Sequence, residues 1–200
     1  MRTLIVDNYL PDSPQIEHLY KVICDAAVHT VEIRDCSTLG VNEELKQYDA
    51  IVLSGSQRKL AEIGVAESYA TEMELIRRHT RPILGICFGI QLMGLAFGED
   101  IVNMGQTLDG YYMVKMVEKD ELFEGLSDKF LVRESHEEMV AKIPYDFKLL
   151  AESPNCPIET IKHMILPIYG VQFHPERFDD RHPAGQMILE NFFRLASFYS

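Results

Sequence analysis

The sequence predicts an α/β fold, a mixed, largely parallel central sheet flanked by helices, and three observations predict it. Short apolar runs alternate with amphipathic stretches through the first half of the chain, the pattern of a sheet wound with helices on both faces. From about Ile101 the rhythm changes to strand-like segments without long helices between them, which predicts antiparallel strands in the second half. A glycine-flanked turn joins the fourth apolar run to a helical stretch, a sharp strand–turn–helix after a central strand.

Thr3 to Val6 has the length and apolar character of a buried parallel strand. A polar, proline-containing loop from Asp7 to Pro14 follows it. The spacing then predicts a helix over about Gln15 to Ala27 and a strand from Val28 to Ile33. Asp49 to Leu53 is a third strand, cut off by Ser54-Gly55-Ser56. An amphipathic stretch from about Glu67 to Arg78 predicts a helix, Pro82 to Ile86 a fourth buried strand, and Ile90 to Ala96 the helix after it. The strands of the second half are Tyr111 to Val117, Phe130 to Arg133, Phe147 to Ala151, Ile158 to His163 and Ile168 to Phe173. A closing amphipathic helix over about Ala184 to Phe198 is placed to pack back on the sheet. No repeat, low-complexity run or linker interrupts the pattern, and 200 residues suffice for one well-cored domain.

A formal net charge of −12 argues against a nucleic-acid binder, and no basic stripe offsets it. The longest apolar stretches fall short of the roughly 20 residues that a membrane helix needs. Met1-Arg2-Thr3 leads directly into a short strand and Asp7, unlike a signal peptide, so the expected location is the cytoplasm. The cysteines Cys24, Cys36, Cys87 and Cys156 show no CxxC pairing and no metal-ligand spacing. Cys24, Cys36 and Cys156 read as structural thiols. His18, His29, His79 and His182 read as surface histidines, and the Glu43-Glu44 and Glu137-Glu138 pairs as solvated faces.

Cys87 is different, because it stands in Gly85-Ile86-Cys87-Phe88-Gly89 between a strand and a helix. This is the context of a nucleophile elbow, with cysteine in place of serine. Side chains two residues either side of the nucleophile would collide in so sharp a turn, which is why glycine is required there. The elbow lifts the sulfur above the C-terminal ends of the strands, and the helix start behind it favours thiolate. A second segment, Gly170-Val171-Gln172-Phe173-His174-Pro175-Glu176, ends an apolar run at a histidine. A cysteine nucleophile needs a base for its proton, and the base needs a group to orient it. His174 and Glu176 share one short turn stiffened by Pro175, so they suit those two roles. Backbone N–H groups are the natural oxyanion donors: that of Phe88, after the nucleophile, and one from Ser54-Gly55-Ser56.

Gly-Ile-Cys-Phe-Gly-Ile-Gln at 85 to 91, with Gly-Val-Gln-Phe-His-Pro-Glu at 170 to 176, resembles class I glutamine amidotransferases over nearly the whole chain. The resemblance implies a Cys-His-Glu triad that hydrolyses glutamine to glutamate and ammonia through a γ-glutamyl thioester. By position, Cys87 is the nucleophile, His174 the base and acid, and Glu176 the orienting carboxylate. Gly55 and Phe88 become the oxyanion donors, and Gln91 matches a glutamine that contacts substrate. Phe123-Glu124-Gly125-Leu126, Ser135 to Val140, and Lys162-His163 before Pro167-Ile168-Tyr169-Gly170 are similar to the glutaminase unit of GMP synthetases. That similarity implies that backbone around Ser135 and His136 binds the α-amino and carboxylate groups. Three stretches depart from the family pattern: Ser54-Gly55-Ser56-Gln57-Arg58 replaces Gly-Gly-Pro, Leu108-Asp109-Gly110-Tyr111 replaces Arg-Glu-(Tyr/Phe)-Gly, and the loop after Asp7 lacks Gly-Gly-Gln.

The chain has no GxxxxGK[ST] loop for ATP, so ammonia is expected to pass to a separate synthetase subunit, with GMP synthesis as one destination. That partner is also expected to switch on an otherwise poor glutaminase through the Ser54 to Lys59 loop. No metal and no cofactor enter this reading. A free-standing γ-glutamyl hydrolase and a non-catalytic regulatory member of the fold are the alternatives.

Overall fold

In the computed structural model, residues 1–26, 30–40 and 43–199 are described, the side chains of 43 and 44 excepted. Among them, nine strands form one sheet in the order β2-β1-β3-β4-β9-β8-β7-β5-β6. The parallel part consists of β1 (Arg2–Asp7), β2 (Thr30–Asp35), β3 (Ala50–Leu53), β4 (Ile83–Ile86) and β9 (Ile168–Val171). The interior strands β3, β4 and β9 are buried at every residue, as covered parallel strands must be, and this explains their unbroken apolar runs.

Helices cover both faces. On one, α1 (Gln15–Ala26) buries Leu19 and Ile23, one helical turn apart, beside α4 (Ala184–Ala196) with Ile188, Leu189 and Phe192. On the other lie α2 (Ala70–Arg78), burying Leu75 and Ile76, and α3 (Phe88–Ala96), whose residues are nearly all buried. No helix among the described residues is long and apolar enough to cross a membrane.

The second half is antiparallel, as the change of rhythm predicts. It comprises β5 (Ile101–Met116), β6 (Lys129–Val140), β7 (Phe147–Glu152) and β8 (Thr160–His163), after which β9 returns parallel to β4. Here the sequence reading needs correction. The strands placed at Tyr111 to Val117 and Phe130 to Arg133 are parts of a much longer hairpin. Along β6 the buried side chains are Phe130, Val132, Glu134, His136, Glu138 and Val140, a strict alternation. Three polar residues occupy that inward face, so apolar periodicity stops at Val132 while the strand continues.

Other differences are smaller. A 3-10 turn at Ala66–Tyr69 precedes α2, α3 starts at Phe88, and α4 gives way to a 3-10 turn at Ser197–Tyr199. The strands expected from Ile158 and to Phe173 are confined to β8 and β9. The ends of the first helix and second strand at Ala27, Val28 and His29 lie outside the described residues, as do the side chains of Glu43 and Glu44.

The turn after β4 is sterically closed. A Cβ on Gly85 would lie 2.7 Å from the carbonyl carbon of Gly89, and one on Gly89 would lie 2.8 Å from the carbonyl oxygen of Leu53. Both clashes are with backbone, which has nowhere to retreat. Gly89→Ala is therefore expected to cost about 1–3 kcal/mol, the range for overpacking. Urea unfolding measures it, and an unchanged midpoint would mean the turn relaxes freely.

Candidate active site

Cys87 adopts φ 52° and ψ −97°, and only it and Asp12 among described non-glycine residues have positive φ. Such a conformation costs roughly 1–3 kcal/mol and persists where the surroundings enforce it. Here its N–H donates to the carbonyl of Val171 at 2.8 Å, tying the turn to the end of β9. α3 starts one residue later, so the Phe88 amide belongs to the first turn and has no intrahelical acceptor. The Gln172 amide approaches the sulfur at 3.8 Å.

His174 follows β9, and its N–H donates to Arg133 of β6 at 2.8 Å. Pro175 opens a 3-10 turn, Pro175–Arg177. The start of α4 presses on that turn so closely that a Cβ on Gly185 would lie 2.2 Å from the Pro175 carbonyl oxygen. Within it, His174 Nδ1–H donates to Glu176 Oε1 at 2.7 Å, with both side chains buried. The remaining ring nitrogen is left to Cys87, whose proximity helps to hold the ring's proton. Burial alone would lower the pKa of His174, but the Glu176 carboxylate and Cys87 outweigh it and hold the ring above the ordinary histidine value. Glu176 is the mirror case. Burial pushes it up, while His174 and then the Arg177 guanidinium, 3.7 Å away, hold it below the usual carboxylate value. The protonated ring and ionised carboxylate thus stabilise each other, and the ring can hold a proton taken from the thiol.

The Ser54–Gly55–Ser56 loop leaves β3 on the same rim. A Cβ on Gly55 would lie 2.9 Å from His174 Cε1, so the imidazole occupies the space that a side chain would fill. Asn8, just beyond β1, grips both neighbours of Gly55. Its N–H donates to Ser54 Oγ at 2.9 Å, and its carbonyl accepts from Ser56 Oγ at 2.6 Å. Asn8 is itself held by Glu72 of α2, whose buried Oε1 accepts from Nδ2 at 3.0 Å. Farther along, the Glu138 carboxylate accepts the N–H groups of Leu60 at 2.8 Å and Ala61 at 3.3 Å, and Lys59 pairs with Glu137. The atypical loop is therefore strapped to β6.

A cleft of about 270 Å³ opens over Cys87. Cys87, Phe88, Gln91, Ser135, His136 and His174 line it. Glu176 stands behind His174 and Gly55 beside it, so the structure brings together every site residue expected from sequence. The Gln91 amide donates to the Glu138 carbonyl at 2.8 Å, and the same carbonyl receives His136 Nδ1 at 3.0 Å. Both pocket residues are thereby fixed on one backbone group of β6.

Some readings of individual residues change. His79 is buried, with burial pushing its pKa down to about 4, and Glu138 is buried while Glu137 is the paired surface partner. His18 is exposed, yet its Nε2 bonds the Glu176 carbonyl at 2.8 Å. His163 is not in the cleft; its Nδ1 accepts the amides of Ile165 and Leu166 at 3.1 and 3.0 Å. Tyr9, Asn8 and Glu72 join the site without any motif to announce them. The available signal is register: β1 and β3 pair with Val6 beside Leu53, so whatever follows β1 borders Gly55.

The fold and site define a glutamine amidotransferase. The chain belongs to the glutamine amidotransferase class-I family, which it matches over residues 4–196. More particularly, it is 36% identical to the glutamine-hydrolysing A chain of GMP synthase from Archaeoglobus fulgidus over 198 residues, covering 98% of each protein. It is 34% identical to the protein of the same name from Methanosarcina mazei, covering 100% of this chain and 98% of that one. A Thermoplasma acidophilum protein described as the corresponding GMP synthase chain, and known from a crystal structure, superposes with a TM-score of 0.82 at 27% identity, over 100% of this chain and 95% of that chain.

Glu72 yields a test of the loop anchor. Burial pushes its carboxyl up to about 8, against a smaller lowering by Asn8, from an ordinary value of 4.5. Between those values the folded chain binds a proton that the unfolded chain does not, so this group makes stability fall as pH rises. Glu72→Gln keeps an acceptor for Asn8 and removes the titration. Its stability relative to the wild type is expected to rise steadily from pH 5 to pH 8 in chemical denaturation. A difference independent of pH would show that Glu72 is ionised throughout.

Proposed function

We propose that the chain is the glutaminase subunit of a two-subunit synthetase, hydrolysing glutamine and delivering ammonia to a partner that makes GMP. The observation that carries this reading is the strained Cys87 turn set against the buried His174–Glu176 pair at 2.7 Å. The thiolate adds to the γ-carbonyl carbon of glutamine, and His174 takes the thiol proton and returns it to the departing nitrogen. Ammonia leaves, a γ-glutamyl thioester remains on Cys87, and water activated by His174 releases glutamate. Glu176 fixes the ring tautomer and stabilises its charged form without reacting. The N–H groups of Phe88 and Gly55 receive the oxyanion, and Gln91, Ser135 and His136 hold the amino-acid end. The names of the relatives, each one subunit of a glutamine-hydrolysing GMP synthase, support a separate ammonia acceptor.

Steady-state ammonia release tests the assignment. Cys87→Ala and His174→Ala are each expected to lose about 10⁴-fold or more, because nucleophile and base act as one unit. Glu176→Ala should retain at least about tenfold more activity than either. Turnover surviving in Cys87→Ala would end the covalent mechanism. Glu176→Ala falling as far as Cys87→Ala would give the carboxylate a larger part than orientation.

A further inference from the structure

Tyr9 occupies a position for which the proposed mechanism has no use. It stands two residues past the end of β1, and its backbone is pinned by its own N–H, which donates to Asp7 Oδ1 at 3.0 Å. The ring is 7% exposed and lines the cleft beside Cys87. Its hydroxyl lies 3.2 Å from the point where a Gly55 Cβ would be, and His174 Cε1 lies 2.9 Å from the same point. The phenol oxygen is buried and finds no hydrogen-bond partner among the described residues. Arg177, whose guanidinium approaches that oxygen, can only donate, so the hydroxyl hydrogen has no acceptor among the described residues.

A buried donor without an acceptor costs about 1–3 kcal/mol and calls for an explanation. Substrate supplies one. On the glutaminase reading the γ-carbonyl oxygen gains charge against the Gly55 and Phe88 amides, and the hydroxyl adjoins Gly55; that oxygen can accept more hydrogen bonds as an oxyanion than as a carbonyl. Burial first, and then the negative charge of Glu176, keep the phenol protonated far above its usual range. The hydroxyl is thus a permanent donor. The geometry points to Tyr9 as a catalytic residue whose O–H donates to the tetrahedral oxyanion, a third donor beside the N–H groups of Gly55 and Phe88.

This inference rests on the glutaminase reading and adds a side-chain donor to its oxyanion site. It also gives two departures from the family pattern one explanation. The loop after Asp7 brings a tyrosine where the pattern has glycine, and the Ser54–Ser56 loop keeps the one glycine that makes room for it. Asn8, bonded to Ser54 and Ser56, locks the two loops together, so the hydroxyl and the Gly55 amide are held in register.

The test is glutaminase kinetics of Tyr9→Phe in the full chain, with the wild type alongside. The ring and its packing are retained and only the donor is lost. The expected result is a kcat lower by about a hundredfold, within the range for one oxyanion donor, with KM for glutamine little changed. Alkylation of Cys87 by iodoacetamide, which forms no oxyanion, should proceed at the wild-type rate. Glutamate γ-semialdehyde, whose adduct with the thiol is tetrahedral, should bind the variant more weakly by a similar factor. An unchanged kcat overturns the assignment, as does a rise in KM alone, which would place the hydroxyl on ground-state substrate. Slowed alkylation overturns it too, by showing that the ring merely shapes the thiol. A wild-type chain inert toward glutamine, alone and with its synthetase, overturns the glutaminase reading and Tyr9 with it.

Discussion

The site depends on one steric constraint, that the backbone at Cys87 can turn through a left-handed conformation only where nothing projects from Gly85 or Gly89. Gly85 packs on Gly89, Gly89 packs on the Leu53 carbonyl, and Leu53 is the last residue of β3 before the Ser54 loop. The turn that raises the sulfur therefore also fixes the distance between α3 and the strand that carries Gly55. Cys87 N–H closes the third side on Val171 of β9, three residues before His174. Cys87, His174 and the Gly55 loop, the proposed nucleophile, base and oxyanion site, thus come from adjacent strands, β4, β9 and β3, locked around one clash-limited turn. Sharp strand ends of this kind supply the positional precision that a loop alone does not.

Electrostatics then decides what the assembled groups do. His174 and Glu176 are both buried, where each charge alone would be costly. Facing each other at 2.7 Å they offset that cost, and the pair favours the charged ring. Around them the rim is lined with polar groups whose partners are other rim groups: Glu138 with the Leu60 and Ala61 amides, Glu72 with Asn8, and His136 and Gln91 with one carbonyl of β6. The first two tie the loops after β3 and β1 to β6 and α2, and the last ties α3 to β6. They hold the Ser54 loop in place where the family pattern relies on glycines and proline.

Much of this was legible in the sequence, and what was missed has a physical reason. Apolar runs revealed the parallel strands because both faces of β3, β4 and β9 are covered, and Gly-x-Cys-x-Gly revealed the turn because its steric demand is absolute. The length of β6 was hidden by Glu134, His136 and Glu138, polar residues on an inward face. Hydrophobic periodicity fails where a strand lines a polar site. Glu72 and His79 were hidden for a related reason, since a lone charged residue on an amphipathic helix or at its end reads as solvent-facing until its neighbours are known. Tyr9 and Asn8 lay in a loop whose partner, the Ser54 loop, is 46 positions away from Asn8 in sequence, and only the pairing of β1 with β3 brings them together.

The central claim is that Cys87 attacks glutamine, and the covalent intermediate is its most direct signature. Mixing the chain and its synthetase with glutamine, quenching in acid within a turnover, and weighing the Cys87 peptide should show the added mass of a γ-glutamyl group. The adduct should be absent from Cys87→Ala and should disappear as glutamine is exhausted. Glutamine turned over with no adduct on Cys87 at any quench time, or an adduct carried by Cys24, Cys36 or Cys156, would contradict the account.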